Sequence, residues 1–190
     1  MKLTEMNDLL KKEIKQSRFE HSINVMSTAV ALAKIWGCDV QKAAVAGLLH
    51  DCAREVKGTE AIEMCNAFDI KMDDIEREQT VLLHGPIGAR FACNKYKIED
   101  KEITDAIACH TTGRAQMSML DKIIFLSDFI EPKRNFRGVE KARKLSKTNI
   151  NEAVLYCLNN SIMHLISNNS GIHCNTINAR NYMIEHKNEF

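Results

Sequence analysis

Proline is scarce in this chain, 2 residues in 190, and there are only 8 glycines. These are the residues that punctuate hairpins and strand-rich folds. Strand-like alternation is scarce as well, so the sequence argues for an all-α protein. No stretch approaches the roughly 18 apolar residues of a membrane span. The opening residues Met1 to Asp8 are charged and contain no apolar signal core, so a cytoplasmic protein with no membrane partner is expected. The 7 cysteines are odd in number, scattered, and never spaced as Cys-x-x-Cys. That excludes a zinc knuckle or a redox dithiol and fits small hydrophobes in a reducing compartment. Excess charge is also missing, with Lys+Arg 26 against Asp+Glu 25. A general polyanion-binding surface is therefore not indicated. The basic cluster Lys133-Arg134-Asn135-Phe136-Arg137 is short and carries one aromatic residue, so no nucleic-acid partner is expected.

What is present is an ordinary apolar share, 45% hydrophobic residues, in a chain long enough to bury a substantial core as a single domain spanning 1–190. Apolar residues recur at helical spacing along most of it. A first helix is expected over 3–16 and a second from about Phe19 to Trp36, stopped by Gly37. Asp39 is placed to cap a third, rich in alanine, that runs into His50-Asp51. Further helices are expected from Thr59 to Ala67 and from Asp73 towards Leu82-Leu83. Another carries Pro86 in its first turn and ends near Tyr96. Residues 100–110, Met119 to Ile130 (started by Ser118 and ended by Pro132), two segments within 139–167 and a last one from near Asn175 complete the series.

The chain is organised around Ala46-Gly47-Leu48-Leu49-His50-Asp51-Cys52. Neighbouring helix positions point about 100° apart, yet both side chains can reach one ion lying in a groove. Imidazole and carboxylate are good ligands for a borderline divalent metal. His-Asp alone occurs widely by chance, and a lone histidine on an apolar face is usually a satisfied core residue. Here His21, His84, His110 and Asp128 each lie in or beside an apolar segment as well. Asp128 sits within Ile123-Ile124-Phe125-Leu126-Ser127-Asp128-Phe129-Ile130, where an unpartnered carboxylate costs several kcal/mol. Two carboxylates and four imidazoles in such settings account for one another if they share metal. His186 reads as tail surface, His164 as packed or exposed, and His173 is left open.

The order His21, His50-Asp51, Asp128 on helices resembles the HD superfamily of metal-dependent phosphohydrolases. Within that superfamily the resemblance is closer to one branch, the bacterial symmetrical diadenosine tetraphosphate hydrolases of the YqeK type. Matching stretches are Arg18-Phe19-Glu20-His21-Ser22, Ala46 to Cys52, Leu82-Leu83-His84-Gly85 and Ala106-Ile107 with His110-Thr111-Thr112-Gly113. Met117-Ser118, Leu120-Asp121-Lys122-Ile123-Ile124, Asp128-Phe129-Ile130-Glu131-Pro132 with Arg134, and Ile172-His173 complete them. Ser127 and Lys133 depart from the pattern, but neither is a proposed ligand. The resemblance implies an HD helical bundle with iron, or manganese, cobalt or zinc, as one or two ions on His21, His50, Asp51 and Asp128. His84 and His110 either complete a second metal position or contact substrate phosphate. Arg18, Thr111 and Arg134 then hold phosphates, and the turn Gly171, Ile172, His173, Cys174, Asn175, Thr176 lies against a nucleoside. His21, His84, His110 and Asp128 also touch substrate. Whether the chain acts alone or as a homodimer is left open.

The chemistry agrees with these residue types. A polyphosphate is highly anionic, and a bound metal both neutralises charge and makes water nucleophilic. Asp51 is placed to accept a hydrogen bond from that water, and His84 or His110 to steady the leaving oxygen. Other HD readings remain. A nucleotidase acting on monophosphates is one. A guanosine tetraphosphate hydrolase fits less well, because Arg54 stands at the first acidic position of the expected His-Asp-x-x-Glu-Asp. A metal-bearing nucleotide sensor without turnover is the reading from another class.

Overall fold

A computed structural model describes residues 1–186. Among these residues there are eleven α-helices and no strand. In chain order they are α1 (Leu3–Glu13), α2 (Gln16–Trp36), α3 (Val40–Leu49), α4 (Thr59–Ala67), α5 (Asp74–Glu78) and α6 (His84–Asn94). Then follow α7 (Lys101–Cys109), α8 (Met119–Ile130), α9 (Val139–Thr148), α10 (Ile150–Ser167) and α11 (Cys174–Glu185). A 3₁₀ turn, Thr80–Leu83, joins α5 to α6. No described helix is long and apolar enough to cross a membrane.

The expected caps are in place. Asp39 accepts from the backbone N–H of Gln41 and Lys42 at 2.7 and 3.0 Å, Ser118 starts α8 with a capping box, and α2 stops at Gly37. These side chains satisfy amide groups that a helix start leaves open. α3 is buried among α2, α7 and α8. Its alanines and glycine let the backbones approach closely. A Cβ on Gly47 would lie 2.9 Å from Cα of Met26 in α2, nearer than packed atoms tolerate. One apolar core runs from Met6 and Leu10 in α1 through Leu48, Leu49, Ile107 and Ile124 to Met183 in α11.

Some boundaries differ from expectation and one meets it. α1 ends at Glu13, because Ile14 turns to extended backbone and buries its side chain. The helix opened by Asp73 is only five residues long. Gln79 leaves it and its Nε2 donates to the Gly171 carbonyl at 3.1 Å, so a contact across the molecule ends the helix. α6 begins at His84 and carries Pro86 in its first turn, as expected.

Candidate active site

The ligand candidates lie at helix ends, which is why neighbours in sequence can converge. α3 stops at Leu49, so His50 and Asp51 occupy a turn and are freed from helical spacing. His110 follows the end of α7 in the same way, and His84 opens α6. His21 lies in the second turn of α2 and Asp128 in the last turn of α8. All four imidazoles and Asp51 are buried, and Asp128 is half-buried.

One device orients three of the histidines. Nδ1 of His50 donates to the Gly47 carbonyl at 2.8 Å and Nδ1 of His110 to the Ile107 carbonyl at 2.7 Å. Nδ1 of His84 donates to the Val81 carbonyl. Each carbonyl is three residues upstream. His21 instead donates Nδ1–H to Oε1 of Glu131 at 3.2 Å. Carbonyls and carboxylates only accept, so the proton of each neutral ring sits on Nδ1 and the lone pair on Nε2. This outer hydrogen bond is the one that metal-binding histidines normally make.

The four Nε2 atoms meet around Asp51. Nε2 of His84 and of His110 are 3.0 Å apart, and those of His21 and His50 are 3.3 Å apart. Oδ1 of Asp51 lies 3.1 Å from His84 Nε2 and 3.7 Å from His110 Nε2. Its Oδ2 lies 3.8 Å from His50 Nε2 and 3.9 Å from His21 Nε2. Oδ1 of Asp128 is 2.9 Å from His21 Nε2 and 3.9 Å from His50 Nε2. Donors about 2.0 to 2.2 Å from one ion stand about 3 to 3.5 Å from each other. Lone pairs facing one another at this range repel unless a cation lies between them. The donor set therefore fits divalent metal, with Asp51 turning one oxygen to each pair of histidines. Three overlapping triads bring their donor atoms close enough to share an ion: His21, His50 and Asp51; His50, His110 and Asp128; and Asp51, His84 and His110.

Protonation agrees with this arrangement. Burial pushes His50 down to about 4 and also lowers His84. Burial works against a charge on His110, but hydrogen bonding to Asp51 brings its pKa above the ordinary value. Burial alone raises a carboxylate; here His50, His110 and His84 instead hold Asp51 well below the usual range. The same opposition holds Asp128 low, through His21, His50 and Arg134.

Around the cluster, Arg18 Nη1 is 3.3 Å from Asp51 Oδ2, and Arg134 pairs with the Asp128 carboxylate while its Nε donates to the Asp128 carbonyl at 2.8 Å. Thr111 Oγ1 lies 3.4 and 3.3 Å from Nε2 of His84 and His110. Of the 171–176 stretch, Gly171, His173 and Thr176 line a cavity of about 230 Å³ together with Gln79, Thr111, Thr112 and Phe125. Asn175 lines the adjoining one, and Ile172 and exposed Cys174 line neither. His173, open from sequence, caps α11. Its Nδ1 accepts from the Asn175 amide at 3.0 Å, so Nε2 carries the proton and faces Asp73 and Glu76 at 3.3 and 3.5 Å. The His173 ring, with no lone pair left for a metal, ties the start of α5 to α11 through these two carboxylates.

Sequence reasoning missed three residues. Glu131 accepts from His21, from Asn24 Nδ2 at 3.0 Å and from the Lys133 amide at 2.8 Å. Arg54 lies 3.9 Å from Asp51 Oδ1, one helical turn along the sequence, which was the available signal. His164 is exposed and lines two cavities. The departure at Lys133 has a local reason, a 2.5 Å ion pair with Glu20.

A helical bundle with paired His-Asp ligand groups defines a metal-dependent HD hydrolase, and the HD domain family matches residues 18–133. The chain belongs to that family, in the branch that holds the symmetrical bis(5'-nucleosyl)-tetraphosphatases. It is 40% identical over 176 residues to the protein of that name from Halalkalibacterium halodurans, covering 93% of this chain and 94% of that one. The Bacillus subtilis protein of the same name is 32% identical over 175 residues, covering 92% and 94%. A crystal structure from Clostridium acetobutylicum, titled a predicted HD superfamily hydrolase involved in NAD metabolism, matches with TM-score 0.95. It is 40% identical, and 98% of each chain is covered.

Proposed function

We propose that this chain hydrolyses diadenosine tetraphosphate and related dinucleoside polyphosphates symmetrically, giving two ADP, as a single cytoplasmic domain using iron. The observation that carries the reading is Asp51, with one oxygen on the His21–His50 side and the other on the His84–His110 side. That supports one ion on His21, His50, Asp51 and Asp128, and a second on Asp51, His84 and His110. The 7 cysteines are free, in keeping with a reducing compartment.

Divalent metal held there supplies charge neutralisation and a water nucleophile near neutral pH. The chain's own groups do the rest. Asp51 accepts a hydrogen bond from the attacking water and aims it at phosphorus. Arg18 and Arg54 flank Asp51, and Arg134 stands against Asp128, so three guanidiniums surround the phosphate path; such groups grip phosphate as a fork. Thr111 offers a hydroxyl between His84 and His110. A nucleoside in the cavity beside Gly171, His173 and Thr176 leaves two phosphates to reach the cluster, and the bond between the second and third is cut. ADP is a fair leaving group, so strong acid assistance is not required.

Metal-loaded protein incubated with diadenosine tetraphosphate should give ADP as the only nucleotide product. In labelled water the heavy oxygen should enter the terminal phosphate of one of the two ADP molecules. ATP plus AMP in equal amounts refutes the symmetric reading, and absence of turnover with any metal favours a sensor.

A further inference from the structure

A symmetric dinucleoside has a second nucleoside, and in the reading above the small cavity beside Gly171 takes only one. A larger cavity, about 480 Å³, opens on Asp128 rather than on Thr111. This lies within the range of small-molecule pockets. Its walls include Phe129, Arg134, Phe136, Asn160 and His164. His164 and its neighbour Ser161 line both cavities, so one stretch of α10 is their common wall.

The aromatic residues continue across that wall. Phe125, in the first cavity, stacks along α8 on Phe129 at 6.4 Å and 23°. Phe129 meets Phe136 edge to face, at 4.9 Å and 86°. Phe136 belongs to the link between α8 and α9 and leaves 37% of its surface exposed, high for so large an apolar side chain. Nothing in the core requires it there. A purine face would cover it, and aromatic platforms hold bases in this way. Asn160 adds the polar element: its Nδ2 is buried and has no hydrogen-bond partner among the described residues. A carboxamide offers the donor and acceptor that a base edge matches. Arg134, on the same wall, joins this cavity to the metal cluster through its pair with Asp128.

We infer that this cavity is the second nucleoside subsite: the distal base lies on Phe136 and Phe129, and its two phosphates run past Arg134 to Asp128. This rests on the dinucleoside reading above. It makes recognition two-sided, so the enzyme senses the far base and not only the phosphate chain.

The test is calorimetric binding to metal-loaded protein of two non-hydrolysable probes with a methylene in place of the central bridging oxygen. One is the diadenosine tetraphosphate analogue and the other the adenosine tetraphosphate analogue, which lacks the second nucleoside. Wild type should prefer the dinucleoside probe by roughly tenfold or more. Phe136→Ala should abolish most of that preference, and Phe136→Trp should restore it. Phe136 is a surface residue, and an unchanged circular dichroism spectrum and metal content will show that the variant is folded. No preference in wild type, or a preference that persists in Phe136→Ala, overturns the subsite. Wild type that binds with this preference but does not cleave diadenosine tetraphosphate keeps the subsite and refutes the catalytic reading. Turnover to two ADP without any dependence on Phe136 refutes the subsite alone.

Discussion

Glu131 stands behind His21 as the three backbone carbonyls stand behind the other histidines, but it brings a full charge. One oxygen accepts from His21 Nδ1 at 3.2 Å; the other accepts from Asn24 and the Lys133 amide at 3.0 and 2.8 Å. The carboxylate is thus fixed before it orients the ring, and it is 3% exposed. A charged acceptor also makes Nε2 a stronger donor to metal. Glu131→Gln keeps the shape and loses the charge, and the amide must spend a donor where only acceptors are wanted. Metal affinity, measured by competition with a chromophoric chelator, should fall about 10- to 100-fold. Circular dichroism should be unchanged. Wild-type affinity in Glu131→Gln would reduce Glu131 to a helix-end residue with no influence on the cluster.

At the level of elements, the second ligand pair depends on how closely α6 approaches α7. A Cβ on Gly85 would lie 2.6 Å from the Ala108 carbonyl oxygen. That oxygen is backbone and cannot swing aside, so Gly85→Ala must push the helices apart. His84 is the adjacent residue, and its Nε2 would draw away from His110 Nε2, now 3.0 Å distant. Gly85→Ala should cost about 1–3 kcal/mol of stability, as overpacking does. On the two-ion reading, elemental analysis should find one ion fewer than in wild type. Wild-type stability together with two ions would show that α6 and α7 have slack. Much of this frame was legible in the sequence, because helical periodicity and the caps Asp39 and Ser118 act locally. The break at Gln79 was not, since its cause, Gly171, is 92 positions away. That His21, His50, Asp51, His84, His110 and Asp128 gather in one place was legible because ionisable groups in apolar runs need a reason. Glu131 stood in the matching Asp-Phe-Ile-Glu-Pro stretch with no role assigned to it, and Phe136 lay within a basic link. Only tertiary contact distinguishes such residues from surface.

On the scale of the whole molecule, the cluster joins five separate segments: His21 on α2, His50-Asp51 after α3, His84 on α6, His110 after α7 and Asp128 on α8. Metal held by this assembly, with far less affinity for the unfolded chain, would stabilise the fold by mass action. At a metal concentration of about 100 times Kd the gain is about 2.7 kcal/mol. For a chain of this length that is about 5 to 11 °C in Tm. The metal-free protein carries its own pH dependence. The unfolded pKa of His50 is about 6.5, and burial takes it to about 4 in the fold. Between these values the unfolded state binds more protons, so stability falls as pH drops through this window. His84, also lowered by burial, acts in the same sense, whereas His110, raised, favours the fold on the acid side. Asp51 and Asp128, held low, contribute above the ordinary carboxylate range of about 3.9 and are lost only in stronger acid. Protons also compete with metal for the imidazole lone pairs. Calorimetric Tm of loaded and chelated protein should therefore differ by the full amount at about pH 7.5 and converge towards about pH 5, near the middle of the His50 window. Equal Tm values at the higher pH would mean that the five segments hold together without metal, and that the cluster does not act as a staple.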